Sequence, residues 1–301
     1  MGRACARLAL TTSIGNAPDT PPPFSRAAAW RLMNKGAIDG LALRNVAGVE
    51  EAQLERARLL LARVGQVFEA IMTYEKMGFR LILPDMAQWP ERLRALGSDM
   101  PLFLFAMGDM AVMGERRMAV AGSRRILRET RTAAERTGEM LASEGYTLVT
   151  GGAQGVDSAS LIGALRRAGS GIIIPARTAA QTLEAGSLKE AVHRGKLLLL
   201  FDSLPDEPFS AFKALRRNHS IYALGEAALV VAAREERGGS WRGATDCLRS
   251  GWSPVYVWEG SNADTAGNAA LKDRGAGVYK LDKPLGEQIV CSGQIGFLSG
   301  E

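Results

Sequence analysis

The feature that most constrains this chain is a repeated alternation that begins near residue 117. Short apolar runs ("RMAVA", "YTLVT", "GIIIPA", "KLLLLF", "ALVVAA", "PVYVW", "GVYKL") are separated by stretches of helical period. The spacing predicts helices around Arg128–Ser143, Asp157–Ala168, Ser187–Arg194, Arg217–Leu224 and Trp241–Arg249, and over "AGNAALKDRG". The runs do not alternate apolar with polar residues, so they read as strands buried on both faces. Strand–helix alternation of this kind implies βαβ units. The fold class is α/β, a doubly wound and mostly parallel sheet. In such sheets ligands sit at the carboxyl ends of the strands, where the strand order reverses. The loops that follow the strands are therefore the place to look for function.

Four regions at strand and helix ends share an unusual equipment. After "RMAVA" come Gly122, Ser123, Arg124 and Arg125; six arginines fall between Arg116 and Arg131, with Glu129 the only acid among them. Gly122 lets the backbone approach a ligand, Ser123 is a candidate helix cap, and the arginines carry forked donors suited to phosphate. A capped helix with a solvated arginine face is the plainer reading. After "YTLVT" comes "TGGAQGVD", with Gly151, Gly152 and Gly155 at a strand end and helix start, a phosphate-cradle type of loop. It lacks the Gly-Lys-Ser/Thr of a Walker loop and the GxGxxG spacing of a dinucleotide fingerprint. Asp157 reads either as part of that site or as a helix cap. "FKALRRNHS" gathers Lys213, Arg216, Arg217, Asn218 and His219. "EERGGSWRGATD" opens a helix with Gly238, Gly239 and Ser240, flanked by Arg237 and Arg242, with Trp241 there to stack on a base or simply to pack. These loops hold phosphates well and are poor at breaking bonds.

Composition narrows the classes. The formal charge is +5, which permits a nucleic-acid partner. Two histidines (His193, His219) and three dispersed cysteines (Cys5, Cys247, Cys291) leave no zinc spacing, disulfide framework or catalytic triad. We expect no metal, no cofactor and no catalytic residue. No apolar run approaches the ~20 residues of a membrane span, and the N-terminal apolar stretch is too broken by arginine for a signal peptide. A cytoplasmic location follows. The proline-rich start predicts an irregular N-terminus over 1–25. A small helical domain is expected over 26–77, with two short helices around a glycine turn in "AIDGLALRNVAGVEEAQLE" and a stop at Gly78. The sheet domain is expected over 78–285 and a tail over 286–301.

In this order, the loops resemble the DNA-processing protein A family (DprA, also called Smf). Gly122-Ser123-Arg124 matches its Gly-Ser-Arg. Thr150 to Asp157 with Gly163-Ala164-Leu165 matches Ser-Gly-x-Ala-x-Gly-Ile-Asp and Gly-Ala-Leu. Arg217-Asn218-His219-Ser220-Ile221 with Leu224 approximates Arg-Asn-Arg-Ile-Ile-x-x-Leu. Gly239-Ser240 with Ala244-Thr245, and Gly267-Asn268 with Leu271, echo two later motifs, and the lead-in "LPDMAQWPERLRALGSDMPLFLFAMGD" fits as well. The resemblance covers about residues 79–282. It implies a Rossmann-like fold, single-stranded DNA held in a positive pocket, a homodimer, and delivery of the strand to a RecA-type recombinase in natural transformation or recombination. By match, Arg124 and Arg217 would hold DNA phosphates, with Gly152, Gly155, Asn218 and Ser240 shaping the pocket. The chain departs from the family at Leu161 and His219, where His and Arg are usual. "PARTAAQTLEAG" replaces a Gly-Leu-Asp and Tyr-Pro stretch. No winged-helix domain is expected after the sheet. A sensor of a nucleotide-derived ligand, as in bacterial defence systems, is the alternative that glycine loops also fit. A phosphoribohydrolase is disfavoured, because "RGGSWRGATD" lacks that group's proline, third glycine and glutamate.

Overall fold

A computed structural model describes residues 1–114 and 116–289, so most of the expected tail, with Cys291, lies outside the described residues. The chain divides into two compact units. One comprises residues 1–106 with the short segment 202–205; the other runs over 107–201 and from 206 onward. The first boundary thus falls some way beyond the Gly78 expected from the change of period.

The first unit holds helices α1 (Gly2–Thr11), α2 (Arg26–Asn34), α3 (Glu51–Leu61) and α4 (Val64–Lys76), a hairpin of β1 (Ile38–Asp39) and β2 (Ala42–Leu43), and the antiparallel pair β3 (Arg80–Ile82) and β4 (Leu104–Met107). Two expectations fail here. The start of the chain is helical, not irregular: α1 buries Ala4, Cys5, Leu8 and Ala9, while Arg3 and Arg7, which seemed to break the apolar run, reach Asp85 at 3.0 and 3.1 Å. The end of α1 is held by buried Arg63, which donates to the carbonyls of Ala9, Thr12 and Ile14, groups that a helix terminus leaves unpaired. The stretch after Ala37 forms a hairpin instead of a helix. Gly40 turns it with a φ of +60°, a conformation other residues adopt only with strain. The glycine stop at Gly78 does hold, with a φ of +90° just past α4. Tyr74, Phe79 and Phe105 then pack edge to face, Tyr74 and Phe105 at 5.0 Å between centroids.

The second unit alternates strands and helices: β5 (Arg117–Gly122), α5 (Arg128–Ser143), β6 (Thr147–Thr150), α6 (Val156–Arg166), β7 (Gly171–Ile173), α7 (Ala179–Leu183), α8 (Gly186–His193), β8 (Leu197–Phe201), α9 (Ala211–Leu224), β9 (Ala227–Ala232), α10 (Gly238–Ser250), β10 (Val255–Trp258), α11 (Ala266–Asp273) and β11 (Gly277–Tyr279). Its seven strands are all parallel, in the order β11-β10-β9-β5-β6-β7-β8. The apolar runs of β6, β7, β8 and β9 are buried throughout, whereas β10 and β11 keep half-buried positions. From β5 the chain winds one way through β6, β7 and β8, and the other way through β9, β10 and β11. The reversal lies between β5 and β9, which pair directly, Val120 opposite Leu229. Such a reversal splays the two following connections apart and leaves a crevice at the strand ends.

Candidate functional site

A cleft of about 1170 Å³ opens at that crevice. Its walls come from the loop after β5, the glycine loop after β6, the outer half of α9 and the turn that leads from β9 into α10. Four chain segments that are distant in sequence therefore meet because of the switch in strand order. Of the residues named from sequence, Gly122, Ser123, Arg124, Arg125, Gly151, Arg217, Asn218, Gly239 and Ser240 line the cleft.

Three others do not. Gly152 and Gly155 lie under the cleft as packing positions. Gly155 has a φ of +96°, and a Cβ there would overlap the carbonyl oxygens of Ser123 and Arg124. That close approach locks the β6 loop against the β5 loop, together with the Val156 N–H, which donates to Ser123 O at 3.2 Å. Lys213 is buried, and its Nζ donates to the Glu207 carbonyl at 2.7 Å. It sits on the inward stripe of α9 with Arg217, Ser220 and Leu224, four positions that recur at helical spacing. Its ammonium therefore faces the protein.

Arg217 also faces inward, onto Asp157. Gly151 makes this possible, because any Cβ at that position would overlap the Arg217 guanidinium. Asp157 is buried; burial pushes its carboxyl above the ordinary range, and the Arg217 guanidinium and the Ala153 and Gly151 N–H groups pull it back. Ala153 N donates to Asp157 Oδ2 at 3.3 Å, so Asp157 ties its own loop and does not cap a helix from the front. Arg217 thus lines the floor of the cleft as a buried guanidinium whose charge favours the ionised form of Asp157, a different environment from that of the exposed Arg124.

The remaining loops are tied by short polar contacts. Ser123 does not cap α5; its N–H and hydroxyl both donate to Ala232 O, at 2.9 and 3.4 Å, which joins the β5 and β9 loops. The cap of α5 comes from elsewhere: the Leu127 N–H donates to Asp264 Oδ2 at 2.6 Å. Asn218 donates to Gly239 O at 3.1 Å, and buried Tyr222 donates to Ser240 O at 3.1 Å, so α9 holds the first turn of α10 from two points. Trp241 is buried, with Arg274 over its ring at 5.2 Å. It packs, and it is not presented as a platform.

The cleft has further lining residues that the sequence motifs did not name as site residues. Arg234, Arg237, Arg242 and Arg274 join Arg124, Arg125 and Arg217, so seven arginines face two acids, Asp157 and Glu236. Arg234 to Arg237 is a tight turn, in which Glu236 has a φ of +54°; it keeps both arginines exposed. Phe209 and Phe212 also line the cleft and are 52 % and 72 % exposed. Large aromatic side chains left this open on a cation-rich wall are unusual. Arg237 and Arg242 were legible as flanks of a glycine turn. The two phenylalanines sit in and just after an irregular loop that shows no period.

A concave wall of excess arginine with open aromatic rings, at the switch point of a parallel α/β sheet, gives this doubly wound protein a surface suited to a polyanion. Over residues 80–289 the chain matches the family model described as DNA recombination-mediator protein A, and it belongs to that family. It is 26 % identical over 204 residues to the DNA processing protein DprA of Bacillus subtilis, covering 67 % of this chain and 68 % of that protein. It is 29 % identical over 253 residues to a putative DNA processing protein DprA of Mycobacterium tuberculosis, covering 79 % of this chain and 60 % of that one. Its fold is that of the DNA processing protein A from Streptococcus pneumoniae, with a TM-score of 0.71 at 20 % identity over 88 % of this chain and 94 % of the other. The Helicobacter pylori DNA processing protein A, described for its single-stranded DNA binding mode, superposes with a TM-score of 0.58 at 21 % identity over 68 % of this chain and 92 % of the other. Among the described residues no cluster of three metal-ligating side chains occurs, and no helix is long and apolar enough to cross a membrane.

Proposed function

We propose that this chain binds single-stranded DNA in the arginine cleft, without altering it chemically, and mediates recombination by presenting the strand to a RecA-type recombinase. The observation that carries the reading is the lining itself: seven arginines against two acids, with Phe209 and Phe212 open beside them. In this reading Arg124 and Arg125 from the β5 loop, and Arg234, Arg237 and Arg242 around the α10 turn, take the phosphates. The N–H groups at the start of α10 add partial positive charge. Phe209 and Phe212 offer ring faces to the bases, a sequence-tolerant contact because every base has a π-face. The glycines at 151, 152 and 155 and the Asn218 tie shape the walls, and Arg217 holds the floor through Asp157. The carboxylates on the walls are Asp157, beside Arg217, and Glu236, and no histidine or cysteine lines the cleft. That set offers no acid–base pair for hydrolysis. Recombinase delivery, a homodimeric state and a cytoplasmic location accompany this reading, supported by family membership.

The test is fluorescence anisotropy of a labelled oligothymidylate from about 50 to 300 mM salt, for wild type and the Arg124→Ala/Arg125→Ala variant. Each phosphate contact adds about 0.7 to the salt slope for a single strand. Binding that weakens steeply with salt, with a slope reduced by roughly 1.4 in the variant, supports the reading. No binding at the lowest salt would overturn it and turn attention to a mononucleotide as the ligand.

A further inference from the structure

A second groove lies on the same unit, against the solvent face of α5. It is lined by Arg128, Glu129, Thr132, Arg136, Trp258 and Leu281 and encloses about 570 Å³. Arg128, Thr132 and Arg136 recur every four residues, so they form one stripe about 12 Å long on a helix that rises about 1.5 Å per residue. Arg128 is exposed, and its guanidinium makes no hydrogen bond or ion pair among the described residues; its carbonyl accepts from the Thr132 hydroxyl at 3.1 Å. Arg136 spends one nitrogen on Leu281 O at 3.3 Å. Glu129 is turned to Asn262, whose Nδ2 donates to it at 3.3 Å. The acid in the groove is thus already occupied, while the arginines keep most of their donors for something else.

Trp258 supplies the other half of the chemistry. It ends β10, is only half-buried, and lines this groove. Gly260 lies flat against its ring; a Cβ there would overlap three ring carbons. The indole is therefore backed by main chain and held in place, as a stacking platform needs to be.

The two grooves are joined along the chain. Arg124 and Arg125 line the cleft, and Arg128 lines the groove. Two residues lie between Arg125 and Arg128, which bounds their Cα separation at about 11 Å. The join is fixed, because Asp264 holds the Leu127 N–H at 2.6 Å and Asn262 holds Glu129 and Thr130. Exposed Arg131 lies one turn further along α5. Arginines therefore recur from the cleft mouth along the outer face of α5, with Glu129 the acid among them.

We propose that this groove is a second nucleic-acid subsite, in which the strand leaving the cleft continues along α5 from Arg128 to Arg136. Its backbone would meet Arg128 and Arg136, and a base would stack on Trp258. This inference rests on the cleft reading above and adds a direction of travel and a longer footprint.

The test compares oligothymidylates of about 6 and about 20 nucleotides, lengths that bracket a single site of this kind. Wild type is expected to bind the longer strand at least tenfold more tightly. The Arg128→Ala/Arg136→Ala variant should lose that gain, keep its affinity for the short strand, and show a salt slope on the long strand lower by roughly 1.4. The long strand should quench tryptophan emission more than the short one, and Trp258→Phe should remove the difference. Short-strand binding with no length effect, or a variant equal to wild type on both lengths, overturns the second subsite and leaves the cleft standing. If wild type binds neither strand, the cleft reading fails and this one with it.

Discussion

Replacing Arg217 with alanine separates two roles that the sequence motif merges. As a phosphate ligand its loss would weaken DNA binding alone. In the structure its guanidinium is buried beside Asp157, with no Cβ at Gly151 to obstruct it. Removing the guanidinium takes its attraction away from the buried Asp157 carboxylate, which then has less to offset its desolvation. The cost depends on pH, and its sign follows from Asp157. Burial already holds that carboxyl above its unfolded value of about 3.9. A group raised in this way contributes most stability below its unfolded pKa and loses it as pH rises through the folded one. Without Arg217 the folded value climbs further, at about 1.4 kcal/mol per pH unit of displacement. The Arg217→Ala penalty should therefore be largest where Asp157 is ionised in the folded protein and shrink as pH falls and Asp157 takes up a proton. Urea unfolding of wild type and variant across that range measures it. Adding Asp157→Asn to the variant should flatten the dependence. A penalty that is the same at every pH would refute the coupling of Arg217 to Asp157.

Three further outcomes follow from the same geometry. Phe212→Ala should leave stability within about 0.5 kcal/mol of wild type, since the ring is mostly exposed, yet weaken oligonucleotide binding by about 1–3 kcal/mol in anisotropy titrations. Asp264→Ala removes the acceptor of the Leu127 N–H and should lower the unfolding free energy by about 1 kcal/mol, with a loosened β5 loop visible as faster amide exchange at Leu127. Gly155→Val combines a φ of +96° with overlap on two carbonyl oxygens, so it should destabilise the second unit by more than about 3 kcal/mol in thermal unfolding.

The sheet was legible because its inner strands β6 to β9 are buried on both faces, where only continuous apolar runs fit. The arginine loops were legible because they follow the apolar runs; that β5 pairs with β9 and brings their loops together is shown by the structure. What escaped reading had physical reasons. Lys213 stood in a cluster of cations, but it falls on the inward stripe of α9, where its charge is satisfied by the Glu207 carbonyl. The helix was read as starting at Arg217, which hid that stripe; it starts at Ala211, with Ser210 as its cap. Arg274 lies more than thirty residues beyond the α10 turn and joins the cleft through the ring of Trp241. The helix at Gly2–Thr11 was masked by two arginines whose partner, Asp85, is remote in sequence.

The most direct test of the central claim is a competition. Labelled oligothymidylate bound to wild type is challenged with unlabelled single strand, with duplex of the same length, and with mononucleotides. An open cleft carrying seven arginines and two exposed rings predicts that the single strand displaces the probe at the lowest concentration and that mononucleotides do so only at concentrations at least a hundredfold higher. Displacement by a mononucleotide at or below the concentration of single strand required would contradict the account and make the cleft a small-ligand site.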